Sequence, residues 1–317
     1  MAKINVLSID GGGIRGIIPA MILDYIYKTI NMPTHKTFNL ISGTSTGGII
    51  AMGITRPNDK GENKYTPDDM VNLYEKEGEK IFQKRSYFSE ILELIEEKYD
   101  IKALKNVMDH YFEKTYLSQT LTDVIIPSYD MKNGEPYFFK TSKAKENRKK
   151  DFLVSDICCA TAAAPTYFEP YSLNGKVFID GGIFANNPSM CAMAEICKGN
   201  LKMEETLLVS IGTGDRIKKY TYEEVKNWGM INWVRPAINI SINGNVQTAD
   251  YELNQMLNKK NKSYYRLQVE LDEKSIDMDN SSKENIARLK NITKKYIEEN
   301  KDMLDEICTK LINKERC

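Results

Sequence analysis

Gly43-Thr44-Ser45-Thr46-Gly47 sets a serine between two glycines, with the apolar run Phe38–Ser42 before it and another, residues 47–54, after it. This is the setting of a nucleophile elbow. A strand ends, the chain turns sharply, and a helix begins with the serine hydroxyl lifted out of the sheet at its positive end. Gly43 and Gly47 leave room for the turn, and Gly48 lets helix and strand pack closely. Such a serine is chemically ordinary unless a neighbour takes its proton. Histidine is the usual base, but the chain has only His35 and His110. His35 precedes the serine and His110 falls in a polar helical stretch, so the order Ser, acid, His is not met. Asp180 is the attractive base: it ends the apolar run Val177–Ile179 and is followed by Gly181-Gly182. A carboxylate there would sit in the crevice at the strand ends and accept the hydroxyl proton directly. An aspartate before two glycines is also a common turn former, and both readings stand at this point.

A second glycine motif, Asp10-Gly11-Gly12-Gly13-Ile14-Arg15-Gly16, closes the β-rich run Lys3–Ile9 and satisfies G-x-G-x-x-G. A dinucleotide fold would also want an acid ending the second strand, to hold the ribose. That strand ends in Ser42-Gly43-Thr44-Ser45, which argues against a nicotinamide or flavin cofactor. What remains is a row of backbone N–H groups at a helix N-terminus, suited to any anion. A developing oxyanion qualifies as well as a phosphate.

The elements that must position these residues alternate in the first 55 positions: strand, turn, helix (Ile14–Ile30), strand, turn, helix. Alternation of this kind predicts a parallel sheet with helices on its faces. Residues 56–118 are polar and helical. Thr66-Pro67-Asp68-Asp69 reads as a helix start, and Ile101, Leu104, Met108 and Tyr111 mark an amphipathic helix. This region is expected to be a helical insertion over the sheet. Asn133-Gly134 between two apolar runs predicts a hairpin, and the basic run Lys143–Lys150 reads as a solvated loop in preference to a lipid-headgroup patch. Core character returns over 152–212, where Leu207–Ile211 is a strand ended by Gly212-Thr213-Gly214. The last third is charged and helical, with a capping box expected at Ser281-x-x-Glu284. No linker cuts the chain, so one domain over 1–317 is expected, with its core at about 4–215 and a helical part at about 216–317.

Taken together, the loop at 10–16, the elbow at 43–48 and Asp180-Gly181-Gly182 resemble the three signatures of the patatin-like phospholipases. The alanine-rich segment Ala160–Phe168 and Ala185-Asn186-Asn187-Pro188 resemble further parts of that family, in the family's order. The resemblance covers about residues 4–215. It implies an α/β protein with a three-layer α/β/α fold, a mostly parallel central sheet, and a Ser–Asp dyad acting without histidine, metal or other cofactor. Ser45 maps onto the nucleophile and Asp180 onto the general base. Gly11, Gly12, Gly13 and Arg15 map onto the loop that forms the oxyanion hole, with Gly43, Gly47, Gly48, Gly181 and Gly182 supporting the motifs. The implied reaction is hydrolysis of fatty-acyl esters of glycerophospholipids or related lipids. The lipid substrate implies peripheral contact with a membrane surface. The alternatives are a catalytically silent lipid-binding or storage protein of the same fold, and a nucleotide-binding module using the glycine loop for phosphate.

Composition limits the rest. The chain of 317 residues carries 44 Lys+Arg and 44 Asp+Glu, so no global charge draws it to nucleic acid, and none is expected as a partner. At 41% hydrophobic and 28% charged it reads as an ordinary folded domain. The apolar run Ile4–Ile9 is too short for a signal-peptide core, and no stretch nears the ~18 apolar residues of a membrane span. A cytoplasmic protein is expected, peripheral at membranes, with no motif bearing on oligomeric state. Cysteines 158, 159, 191, 197, 308 and 317 form no C-x-x-C pair, which predicts reduced thiols and no zinc site.

Overall fold

The computed structural model describes residues 4–83, 98–199, 203–215, 219–258, 262–275 and 277–312. Part of the expected helical insertion, residues 84–97, lies outside them.

The strands are β1 (Ile4–Ile9), β2 (Leu40–Gly43), β3 (Asp123–Asp130), β4 (Glu135–Lys140), β5 (Tyr171–Leu173), β6 (Lys176–Asp180), β7 (Thr206–Ile211) and β8 (Tyr264–Leu267). They form one sheet in the order β5-β6-β3-β2-β1-β7-β8, with β4 hairpinned onto β3 through the expected turn at Asn133-Gly134. From β3 to β8 the strands run parallel. Such strands are buried on both faces, which is why β1 and β7 read as continuous apolar runs rather than alternating ones. Val6, Leu40, Ile125 and Leu208 face one side, and Leu7, Ile41, Ile126 and Val209 the other.

The longer helices are α1 (Ile17–Ile30), α2 (Thr46–Thr55), α3 (Pro67–Ile81), α4 (Ile101–Phe112), α5 (Val154–Ala162), α6 (Ser189–Lys198), α7 (Met230–Leu257), α8 (Lys283–Glu299) and α9 (Lys301–Ile312). α6 and the C-terminal end of α7 cover one face of the sheet. α1, α2 and α5 cover the other; α3, α8 and α9 pack on α1, and α4 on α5. The result is the three-layer α/β/α fold that the motifs imply. Thr66 caps α3 as expected, in a reciprocal capping box with Asp69.

Four features go beyond the sequence reading or differ from it. β6 runs antiparallel to β3, so Asp180 enters from the opposite direction to the parallel strands and pairs with Ser128. β8 adds a strand from the C-terminal part, so the sheet extends past residue 215. The cap of α8 is Ser282, whose hydroxyl accepts the Asn285 N–H, while the Ser281 N–H donates to the Asp279 carbonyl in the turn before it. The basic run begins as a short helix, Thr141–Glu146, rather than a loop.

Candidate active site

Ser45 sits where β2 passes into α2, with φ 55° and ψ −122°, a left-handed conformation that a non-glycine residue adopts only when its surroundings hold it. They do so here from several directions. The Ser45 N–H donates to the Thr161 hydroxyl at 3.0 Å, and that hydroxyl donates to the Pro127 carbonyl at 2.6 Å. Thr44 donates to the Ala185 carbonyl at 2.6 Å, and the Tyr74 hydroxyl to the Thr46 carbonyl at 3.2 Å. The turn closes so tightly that a Cβ on Gly43 would meet the Gly47 backbone, and one on Gly47 the Ile9 carbonyl. A Cβ on Gly48 would touch Thr161 and Ile126, so α2 lies close against its neighbours. The turn thus presents the serine at the first residues of a helix, where partial positive charge favours a developing anion.

Asp180 is buried at the end of β6, beside the same turn. Its Oδ1 accepts the Gly182 N–H at 2.7 Å. Burial pushes the carboxyl up to about 6, against the opposing pull of the Gly182 N–H and the Ser45 hydroxyl. A Cβ on Gly181 would collide with the Pro127 carbonyl, so Pro127 is a fixed point shared by both halves of the site.

The four loop positions divide by what their N–H groups already do. The Gly11 N–H donates to the Asn186 carbonyl at 3.1 Å, and the Arg15 N–H to the Gly12 carbonyl at 3.2 Å. Gly12 and Gly13 instead line the cavity that also exposes Ser45 and Asp180. Gly13 has φ +58°, and a Cβ there would strike the Met278 carbonyl, which accepts the Ile14 N–H at 2.8 Å. The Arg15 side chain is half-buried, and burial lowers its guanidinium to about 10. Its Nε reaches the Gly12 carbonyl at 3.4 Å, bracing the loop.

Several residues that hold the loop carry no role in the sequence reading. Arg266 of β8 grips Asp10 through both guanidinium nitrogens, at 2.9 and 2.5 Å, and donates to the Ser210 hydroxyl at 2.8 Å. Burial works against the Arg266 charge, but Asp10 outweighs it and keeps the guanidinium firmly protonated. Thr213 and Asn186 both donate to the Gly11 carbonyl, at 2.7 and 3.3 Å. Asn245 of α7 accepts the Asn186 N–H at 3.0 Å and donates to the Gly182 carbonyl at 3.1 Å. Thr213 and Asn186 stand in segments whose pattern is visible in sequence, but Arg266 and Asn245 lie in the charged C-terminal part with no local signal.

Most of the other residues that line the cavity are apolar. Ile49, Ile81, Phe82, Leu104 and Phe168 line it on the side of α2, α3 and α4, and Ile238 and Ile242 of α7 close another wall. Tyr74, Tyr167, Asn186 and Asn239 add polar groups to the lining beside Ser45, Thr46 and Asp180. Among the described residues, no group of three or more His, Cys, Asp or Glu side chains is placed to hold a metal ion.

Comparison with known proteins identifies the family. Residues 7–193 match the model of the patatin-like phospholipases. Patatin-like protein 2 of Oryza sativa subsp. indica is 31% identical, covering 95% of this chain and 85% of its own. Patatin-like protein 4 of Arabidopsis thaliana is also 31% identical, covering 94% and 84%. A Solanum tuberosum protein named "Probable inactive patatin-3-Kuras 1" is 32% identical, covering 97% and 91%. The crystal structure of VipD from Legionella pneumophila aligns over 93% of this chain and 67% of its own, with TM-score 0.38 and 10% identity. With a family match across more than half its length and relatives this similar over nearly all of it, the chain belongs to the patatin-like phospholipase family.

Proposed function

We propose that the protein hydrolyses fatty-acyl esters of glycerophospholipids or related lipids, with Ser45 as nucleophile and Asp180 as general base. The observation that carries this reading is the strained, multiply anchored Ser45 beside a buried carboxyl that burial raises to about 6, both in a cavity lined mostly by apolar side chains. A base with that pKa is ionised at neutral pH yet basic enough to draw a proton from an adjacent hydroxyl as the hydroxyl attacks.

In the first step the Asp180 carboxylate takes the Ser45 proton while Oγ bonds to the ester carbonyl carbon. The carbonyl oxygen becomes an oxyanion facing the Gly12 and Gly13 N–H groups and the start of α2. Gly11 and Arg15 serve that loop as supports, since their own N–H groups are already bonded. Collapse breaks the bond to the alcohol, and protonated Asp180 returns its proton to the leaving lysolipid oxygen. Water then attacks the acyl-serine, giving a proton to Asp180. A second collapse releases the fatty acid and passes that proton back to Ser45 Oγ. The acyl chain would occupy the apolar part of the cavity throughout.

A silent lipid-binding protein of the same fold is the second reading, favoured by the name of the potato relative. Treatment with an alkyl fluorophosphonate separates the two. A covalent adduct on the peptide containing Ser45, absent from Ser45→Ala, is expected. An unlabelled chain that still binds fatty acid would establish the silent reading instead.

A further inference from the structure

α7 meets the rest of the molecule unevenly. Its C-terminal end is buried through Leu253 and Leu257, and its middle is tied down by Asn245 to the Gly182 and Asn186 backbone. Its N-terminal half presents large apolar side chains to solvent: Met230 is 85% exposed, Ile240 51%, Val234 46% and Trp233 42%. At 3.6 residues per turn, positions 230, 233, 234, 237 and 240 fall on one continuous stripe. Ile238 and Ile242 lie on the flank next to that stripe and line the candidate active-site cavity. The exposed apolar surface is therefore continuous with a wall of the cavity.

Charge along this segment points the same way. From Val225 to Ala249 there is no acidic residue, although the chain as a whole has 44. Lys226 and Arg235 are the only charged residues there. Both tryptophans of the protein are here as well, Trp228 and Trp233, with ring centroids 5.1 Å apart and edge to face. An acid-free apolar helix face with tryptophan at its edge suits the interface of a bilayer. The stripe adjoins the cavity wall formed by Ile238 and Ile242, so a bilayer seated on it would lie next to the cavity, whereas a second copy of the chain there would bring no lipid to that wall.

Building on the hydrolase reading above, we propose that the N-terminal half of α7, through Met230, Trp233, Val234 and Ile240, is the surface that docks the protein on a lipid bilayer. The acyl chain then passes from the bilayer along Ile238 and Ile242 into the cavity.

The tryptophans make the test direct, because both stand at the start of this element, Trp233 within it and Trp228 just before it. In the Ser45→Ala chain, so that no lipid is consumed, phosphatidylcholine vesicles should shift the emission to shorter wavelength and carry the protein up a flotation gradient. Combining Met230→Ser, Trp233→Ser and Val234→Ser should weaken flotation about tenfold or more, with the thermal melt as the check on folding. With Ser45 present, the same three substitutions should lower the ratio of vesicle to soluble short-chain ester hydrolysis by a similar factor. Quenching by acyl-brominated phosphatidylcholine in the otherwise unsubstituted chain gives the answer without touching α7. Emission and flotation unmoved by vesicles would overturn the proposal, as would undiminished flotation of the folded triple variant. So would a dimer in solution that the three substitutions dissociate, since the face would then belong to a second copy. A chain that floats but releases no fatty acid leaves the docking surface standing and sinks the hydrolase reading.

Discussion

Burial raises the Asp180 carboxyl to about 6 from an ordinary 3.8, and the Gly182 N–H and Ser45 hydroxyl only partly oppose it. As a base it must be ionised, so turnover should climb with pH through about 6 and level off above. A pH–rate profile on a soluble ester checks this, and an acid limb centred near 4 would show that burial does not raise the carboxyl of the base. The same shift makes a stability prediction. The folded chain holds this proton more tightly than the unfolded chain, so the protonated carboxyl contributes fully below pH 3.8, and that contribution is lost as pH rises through about 6. Above that, the ionised buried group costs roughly 3 kcal/mol, from a shift of about two pKa units. Asp180→Asn should therefore melt at a higher temperature than wild type at pH 8, with the gap closing near pH 4. Equal melting temperatures at pH 8 would show that the carboxylate is not held at such a cost.

β8 fixes the glycine loop through a buried ion pair between Arg266 and Asp10. Removing one partner of such a pair leaves an uncompensated buried charge, which typically costs about 3–5 kcal/mol. Arg266→Met should lose stability on that scale in urea denaturation, and adding Asp10→Leu should restore most of it. A loss under about 1 kcal/mol for the single variant would mean that Asp10 is not held by Arg266. The element behind this prediction is the one hidden from sequence. β1, β2 and β7 are legible because a strand buried on both faces must be apolar throughout, and each ends in glycines. β8 is four residues, Tyr264–Leu267, with an arginine that reads as surface until its partner 256 positions away is seen. The antiparallel entry of β6 is likewise illegible, because strand direction depends on pairing with β3 rather than on anything in Lys176–Asp180.

Across the whole molecule, fold and cavity arise from segments far apart in the chain. Pattern alone reaches the glycine motifs, the elbow and the strand that carries Asp180. It does not reach Asn245, which joins α7 to the loop after Asp180, because an asparagine within a polar helix has no local signature. Nor does it separate Gly12 and Gly13 from Gly11 and Arg15, a distinction made by which N–H groups the surrounding chain has already bonded. The groups assembled from these segments are proposed to act as one hydrolytic unit. Fatty-acid release from mixed phospholipid vesicles, with a chelator present, tests it in wild type, Ser45→Ala and Asp180→Asn, each shown folded by circular dichroism. Release by wild type and its loss in both variants is the predicted result. Release that survives in Ser45→Ala, or a folded wild type that releases nothing, would contradict it.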